Sequence, residues 1–253
     1  MIDTHCHLDF KDFNEDRAEV IRSCVEGGVT RMVNIGIDEQ TSLESIKLAE
    51  EYDFIYAAIG YHPHSANEFN KQAQDMLERI GQHEKVVAIG EIGLDYYRNY
   101  SPREDQINAF RRQIRLAADM ELPLVVHIRE AMEESLKILQ QEKAYQCGGV
   151  LHCFPGTFED SQKAADMNLQ VAFGGTLTFK NSRAVETAQK VPLSQIVLET
   201  DSPFLAPVPF RGKRNNPLFV QYAYRKLAEI KQIDQLELEK KIDKNALKLF
   251  NLD

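Results

Sequence analysis

A (β/α)8 TIM barrel with an additional C-terminal helix, forming a single domain over residues 1–253, is the expected fold of this chain. Three observations carry the expectation. The length suits one large α/β domain with a substantial buried core. Short runs of β-branched and apolar residues alternate throughout with longer stretches of helical spacing. No composition shift and no Ser- or Gly-rich linker divides the series, and neither a GxGxxG nor a Walker A stretch supports the competing open, doubly wound sheet.

The strands are expected at 1–7 (MIDTHCH), 30–37 (TRMVNIGI), 54–62 (FIYAAIGYH), 86–92 (VVAIGEI), 122–128 (LPLVVHI), 148–153 (GGVLHC), 170–175 (QVAFGG) and 196–201 (IVLETD). Between them lie amphipathic stretches such as 104–120, where Phe110, Ile114 and Ala117 recur at three and four. Ser101 and Pro102 stand ahead of that stretch as a cap and a first helical residue. His83, in "RIGQHEK", reads as a structural residue of a helix-like segment, and 233–249 reads as the extra helix closing the barrel.

Composition narrows the function. At 43% hydrophobic and 27% charged the chain is neither disordered nor fibrous. A formal net charge of -9 argues against holding nucleic acid on a broad basic face, so any phosphate contact must be local. The start has no signal-peptide pattern and no stretch approaches the ~18 apolar residues of a membrane helix, which points to a cytoplasmic protein with no membrane partner. The four cysteines form no CxxC pair and read as free thiols that pack.

Alternation along a strand puts His5 and His7 on one face, with Cys6 on the other. Glu91, His127, His152 and Asp201 then fall at the C-terminal ends of the fourth, fifth, sixth and eighth strands, the active-site end of such barrels. Four imidazoles and two carboxylates in a barrel mouth are costly unless partnered, and a divalent metal partners them. The mixed N/O set suits Zn, Mn, Fe, Co or Ni, with Mg favoured where oxygens dominate. Six ligands exceed one tetrahedral ion, so two ions bridged by Glu91 and a water are expected.

Around this set, Asp3 is expected one step deeper on the face of His5 and His7, as an acceptor for a ligand ring N–H. Cys6 and Cys153 are expected to point outward. Arg98, Arg129, Arg211 and Lys213, with Arg214, would border the mouth as a local basic rim for phosphate, and Gly212 lets the last of these loops turn. His62, in "GYHPH", is directed toward the mouth to contact substrate or act as an acid, with a structural hydrogen bond as the other reading.

These residues resemble the TatD-type metal-dependent hydrolases, a branch of the amidohydrolase-like barrels. The likeness runs through "DTHCHLD", "GYHPH", "GEIGLDYYR", "PLVVHIREA", "LHCFPG", "ETDSPFLAPVPFRGKRNNP" and "NALKLF", essentially the whole chain. It implies a two-metal (β/α)8 hydrolase, usually a magnesium-dependent deoxyribonuclease, with ligand motifs on His5, His7, Glu91, His127, His152 and Asp201. It also implies Asp201 as general base, taking the proton of the metal-activated water. Some relatives lack the first HxH, which is present here. The expected function is therefore hydrolysis of a phosphodiester at a DNA end or in single-stranded DNA. A small-molecule amidohydrolase or phosphotriesterase-like hydrolase using the same site is the alternative.

Overall fold

Eight parallel strands follow one another round a single sheet in the computed structural model, which describes residues 1–252. They are β1 (Ile2–Cys6), β2 (Arg31–Ile35), β3 (Ile55–Ile59), β4 (Val86–Asp95), β5 (Leu124–Arg129), β6 (Gly149–Leu151), β7 (Leu169–Phe173) and β8 (Ile196–Leu198). The helices that return the chain are α1 (Arg17–Glu26), α2 (Glu39–Glu51), α3 (Lys71–Ile80), α4 (Arg103–Asp119), α5 (Met132–Gln141), α6 (Phe158–Asp166), α7 (Arg183–Lys190), α8 (Val220–Lys231) and α9 (Gln235–Leu249). Backbone bonds join the last strand's exit to the first: Asp201 N donates to His5 O (2.9 Å) and His7 N to Ser202 O (2.8 Å). Among the described residues no helix is long and apolar enough to cross a membrane.

The lumen is filled from below by small and branched residues, Ile2, Val33, Ala58, Val87, Val125, Val150, Ala172 and Val197, against which Ala246 and Phe250 pack. Thus α9 plugs the N-terminal end of the barrel. It starts at Gln235 rather than 233 because the Asp234 side chain accepts from Leu236 N and Glu237 N and caps it there. A separate outer layer buries the strands' other faces, with Met32, Ile59, Leu124 and Leu198, against helix residues such as Phe110, Ile114 and Tyr224. The polar mouth is the end left open.

Strand ends differ from the sequence expectation where the site begins. β6 and β8 stop at Leu151 and Leu198, and Asp201 then turns the chain with φ 56°. β4 runs three residues past the expected 92, because its pairing with β5 continues to Asp95 opposite Arg129. Gly93 permits this. Its φ is +141°, and an added Cβ would stand 2.0 Å from His127 O.

Asp3 is a correction. Three residues of β1, from Asp3 to Cys6, span only two of β2, Met32 to Asn34. This bulge breaks the alternation, so Asp3 does not share the face of His5 and His7. The buried Asp3 carboxyl instead accepts from Thr200 N (2.9 Å), Thr200 Oγ1 (2.6 Å) and His5 N (3.3 Å), tying the seam where the barrel closes. Burial pushes its pKa up to about 8 despite those donors. Asp3→Ala should cost about 2–4 kcal/mol, since it strands buried donors at the seam. Asp3→Asn, which resembles the protonated acid, should cost less; equal melting temperatures for wild type and Asp3→Ala would remove the seam role.

Candidate metal centre

His5, His7, Glu91, His127, His152 and Asp201 all reach the mouth of the barrel. Glu91 and Asp95 sit four apart on β4 and so share its inner face, with Gly93 between them. The Glu91 carboxylate stands in the middle of the imidazoles. Its Oε2 is 3.5 Å from His5 Nε2 and 3.8 Å from His7 Nε2, while Oε1 is 2.8 Å from His127 Nδ1 and 3.6 Å from both His152 Nε2 and His62 Nε2. Asp201 Oδ1 closes the other side, 3.7 Å from His5 Nε2 and 3.6 Å from His7 Nε2. His5 and His152 stack with ring centres 3.7 Å apart.

The partner of each ring's far nitrogen sets the tautomer. His7 Nδ1 lies 2.9 Å from Ile35 O, a pure acceptor, so Nδ1 carries the proton and Nε2 offers a lone pair inward. His152 Nδ1 stands 3.0 Å from Glu199 Oε1, whose charge draws the ring proton to that side, while His127 has a carboxylate on each nitrogen, Asp95 Oδ2 at 3.3 Å from Nε2 and Glu91 Oε1 hydrogen-bonded to Nδ1 at 2.8 Å. His5 Nδ1 is buried without a hydrogen-bond partner, while its Nε2 lies 3.2 Å from His7 Nε2. Ring nitrogens and carboxylate oxygens therefore converge, the nearest of them sharing protons, His127 Nδ1 with Glu91 Oε1 and His5 Nε2 with His7 Nε2, and a divalent cation would take the place of those protons. Atoms held about 2.0–2.2 Å from one ion sit roughly 3–3.5 Å apart, close to the spacings here. The residues fit a divalent cation.

His62 behaves differently. It lies within ligand distance of Glu91 and His127, but its Nδ1 accepts from His64 N (3.1 Å). Its proton must then sit on Nε2, which makes the inward atom of a neutral ring a donor rather than a ligand.

Electrostatics follow from this crowding. Burial opposes ionisation of Glu91, yet the imidazoles of His62, His127, His152 and His5 outweigh it and hold the carboxyl well below the usual range. Burial lowers the His5 and His62 rings. For His152 burial is overcome by Glu199, Glu91 and Asp201, which lift it to about 10; Asp201 and Glu91 likewise raise His7, and Asp95 and Glu91 raise His127. Without a cation the His152 ring holds a proton at neutral pH, and a ligand imidazole must be neutral. Uptake of a divalent ion should therefore release roughly one proton or more, and apparent affinity should weaken as pH falls. Calorimetry in two buffers of different ionisation enthalpy reads this directly; buffer-independent heats would show that the rings were already neutral.

Two carboxylates of the site, Asp95 and Glu199, are not singled out by the sequence pattern. Asp95 touches both His127 and His64, the latter at 2.9 Å, and Glu199 holds His152. Period-two spacing from Glu91 to Asp95 and from Glu199 to Asp201 was the available signal. Asp95 and Glu199, not Asp3, are thus the outer carboxylates beside candidate ligand rings, and such outer partners orient a ligand. Strand alternation sets no direction for Cys153. β6 ends before it, so alternation does not carry it outward; its N–H donates to Glu199 Oε1 (2.7 Å), and burial with the Glu199, Asp201 and Glu91 charges pushes its thiol well above the usual range.

The rim is uneven. Arg98, Arg129, Arg211 and Lys213 are exposed. Arg129 lies over the Tyr97 ring at 3.9 Å, with Arg98 at 5.3 Å from the same ring, and Arg211 lies over Phe179 at 3.7 Å. The backbone N–H groups of Tyr97 and Arg98 donate to Asp95 Oδ1, which anchors their loop to the centre. Arg214 is already engaged by the Asp16 carboxylate and the Asp12 carbonyl. His83 falls after α3 and pairs with Glu50 (3.1 Å), away from the mouth.

Comparison with known proteins identifies the family and matches the fold. A family model described as TatD related DNase matches residues 2–251. The chain is 41% identical over 254 residues to YabD of Bacillus subtilis, described as a metal-dependent hydrolase, with 100% of each chain covered. It is 35% identical over 260 residues to the 3'-5' ssDNA/RNA exonuclease TatD of Pantoea ananatis, again covering 100% of both. The crystal structure of YjjV, a TatD homologue from Escherichia coli K12, matches with a TM-score of 0.94 at 28% identity, over 100% of this chain and 98% of that one. With candidate metal-binding clusters at the open end of a (β/α)8 barrel, the chain belongs to the TatD-related DNase family and is a metal-dependent hydrolase.

Proposed function

We propose that the protein is a phosphodiesterase that cleaves DNA at an end or in a single-stranded stretch, using two divalent ions among Mg, Mn, Zn, Co and Ni. The observation that carries the reading is the division of Glu91, whose two oxygens face two different groups of imidazoles. His5, His7 and Glu91 would hold one ion and Glu91, His127 and His152 the other, with Asp201 beside them. When bound, such ions polarise a phosphoryl oxygen and make water more acidic.

The chain's own groups do the rest. Asp201 accepts the proton of the attacking water; its side chain is 15% exposed, and its carboxyl is kept ionised by His7, His152 and His5 against burial. His62 Nε2–H donates toward a phosphate oxygen. Arg98, Arg129, Arg211 and Lys213 supply local positive charge on a chain of net charge -9, so phosphate is drawn to the mouth and repelled elsewhere. The Pantoea ananatis relative, named as an exonuclease of single-stranded DNA and RNA, supports the substrate class.

The test is activity on 5′- and 3′-labelled single-stranded DNA with Mg, Mn, Zn or Co, beside duplex DNA and a panel of neutral esters and amides. Metal-dependent shortening that a chelator stops is the expected result. No cleavage of DNA under any metal, with turnover of a neutral ester or amide, would assign the site to a small-molecule hydrolase instead.

A further inference from the structure

An aromatic ring left in water beside a charged centre needs a reason, since exposed apolar surface is unfavourable and contiguous patches of it mark binding sites. Phe204 is 50% exposed, and Leu205 and Val208 of the same loop are 38% and 47% exposed. The loop is not free to tuck the ring away. Phe204 N donates to Asp201 O (2.8 Å), and the buried Asn215 donates through Nδ2 to Thr200 O (2.9 Å) and Phe204 O (2.6 Å) and through its backbone to Pro203 O (3.0 Å). Val208 N is bonded to Thr178 Oγ1 at 2.9 Å. Gly175 lets the loop close down, because a Cβ there would stand 2.2 Å from Leu205 O.

The ring is held next to the site. Its centre lies 6.3 Å from that of His7 and 6.1 Å from that of Phe10, which meets it edge to face. Phe10 in turn stacks on His7 at 4.6 Å and 23°. A ligand ring, Phe10 and an exposed Phe204 thus form a continuous aromatic group at the edge of the centre. Arg211, on the same loop, is exposed and cationic.

We propose that Phe204, backed by Phe10, is the platform on which an unpaired nucleobase next to the scissile phosphate stacks; this rests on the phosphodiesterase reading above. Single-strand sites combine cations along the backbone with aromatic faces for the bases, and stacking tolerates any base because each has a π-face. The arrangement found here, one exposed ring beside the phosphate-directed centre with an exposed Arg211 on the same loop, matches that chemistry. A base within a duplex is already stacked and cannot use the platform, so Phe204 selects unpaired strands. Because the loop is preset, the ring orders little on binding.

The test compares wild type, Phe204→Ala and Phe204→Trp on single-stranded oligonucleotides carrying normal or abasic nucleotides on either side of the cut. Phe204→Ala should lose roughly ten-fold or more in kcat/KM on normal strands, chiefly through KM, and Phe204→Trp should restore it. At one flanking position the abasic strand should cost wild type the same factor and cost Phe204→Ala nothing further. Equal losses for Phe204→Ala on normal and abasic strands, or no loss at all, would overturn the proposal while leaving the phosphodiesterase reading intact. Absence of strand cleavage by wild type would overturn both.

Discussion

Glu91→Gln should lower hydrolysis by roughly 10³-fold or more and remove divalent metal, because one Glu91 oxygen faces His5 and His7 and the other faces His127 and His152. The substitution keeps the volume, so the buried site does not collapse. What it removes is the charge and one acceptor oxygen: an amide can present its oxygen to His5 and His7 or to His127 and His152, but not to both, and its NH2 faces the other group. Metal content of the purified variant and kcat should fall together while near-ultraviolet circular dichroism stays native. Full metal occupancy with normal turnover would show that Glu91 does not link the two groups.

Asp201→Asn should also cost on the order of 10³-fold in kcat, for a different reason. Asp201 is the carboxylate that borders the imidazoles yet keeps some access to water. Its backbone is secured independently of its side chain, by the bond from Asp201 N to His5 O and by the Phe204 N–H on its carbonyl. Asn therefore keeps position and loses basicity. Metal should be retained in large part, which separates this variant from Glu91→Gln. An Asp201→Asn enzyme with full metal-dependent activity would assign the proton to another acceptor.

Much of this was legible because the strands announce themselves. Valine, isoleucine and alanine runs at regular spacing placed all eight, and a histidine or acid at the end of such a run is conspicuous against the apolar residues a buried barrel wants. Where regularity failed, so did the reading. The β1 bulge moved Asp3 to the seam with Thr200, since alternation assumes one residue opposite one. β4 outran its apparent end because Gly93 weakens the strand signal while allowing the approach of His127 O, and Asp95 was lost with it. Cys153 lies beyond the end of β6, where parity has no meaning.

Residue order alone thus determined the barrel and the end of it at which His5, His7, Glu91, His127, His152 and Asp201 meet, because strand periodicity is a local property. Only the tertiary structure decided which nitrogen of each ring faces inward, that His62 presents a proton while His7 presents a lone pair, that Arg214 is taken by Asp16, and that Phe204 stands in solvent beside His7. Those outcomes depend on what lies on the far side of each group: Ile35 O, Glu199, Asp95 and Asn215 arrive from other strands and loops. The bonds of His7, His152 and Arg214 are made across the barrel, so no one stretch of sequence contains both partners, while the nearer His62–His64 and Phe204–Asn215 pairs depend on the backbone path that barrel closure imposes on their loops.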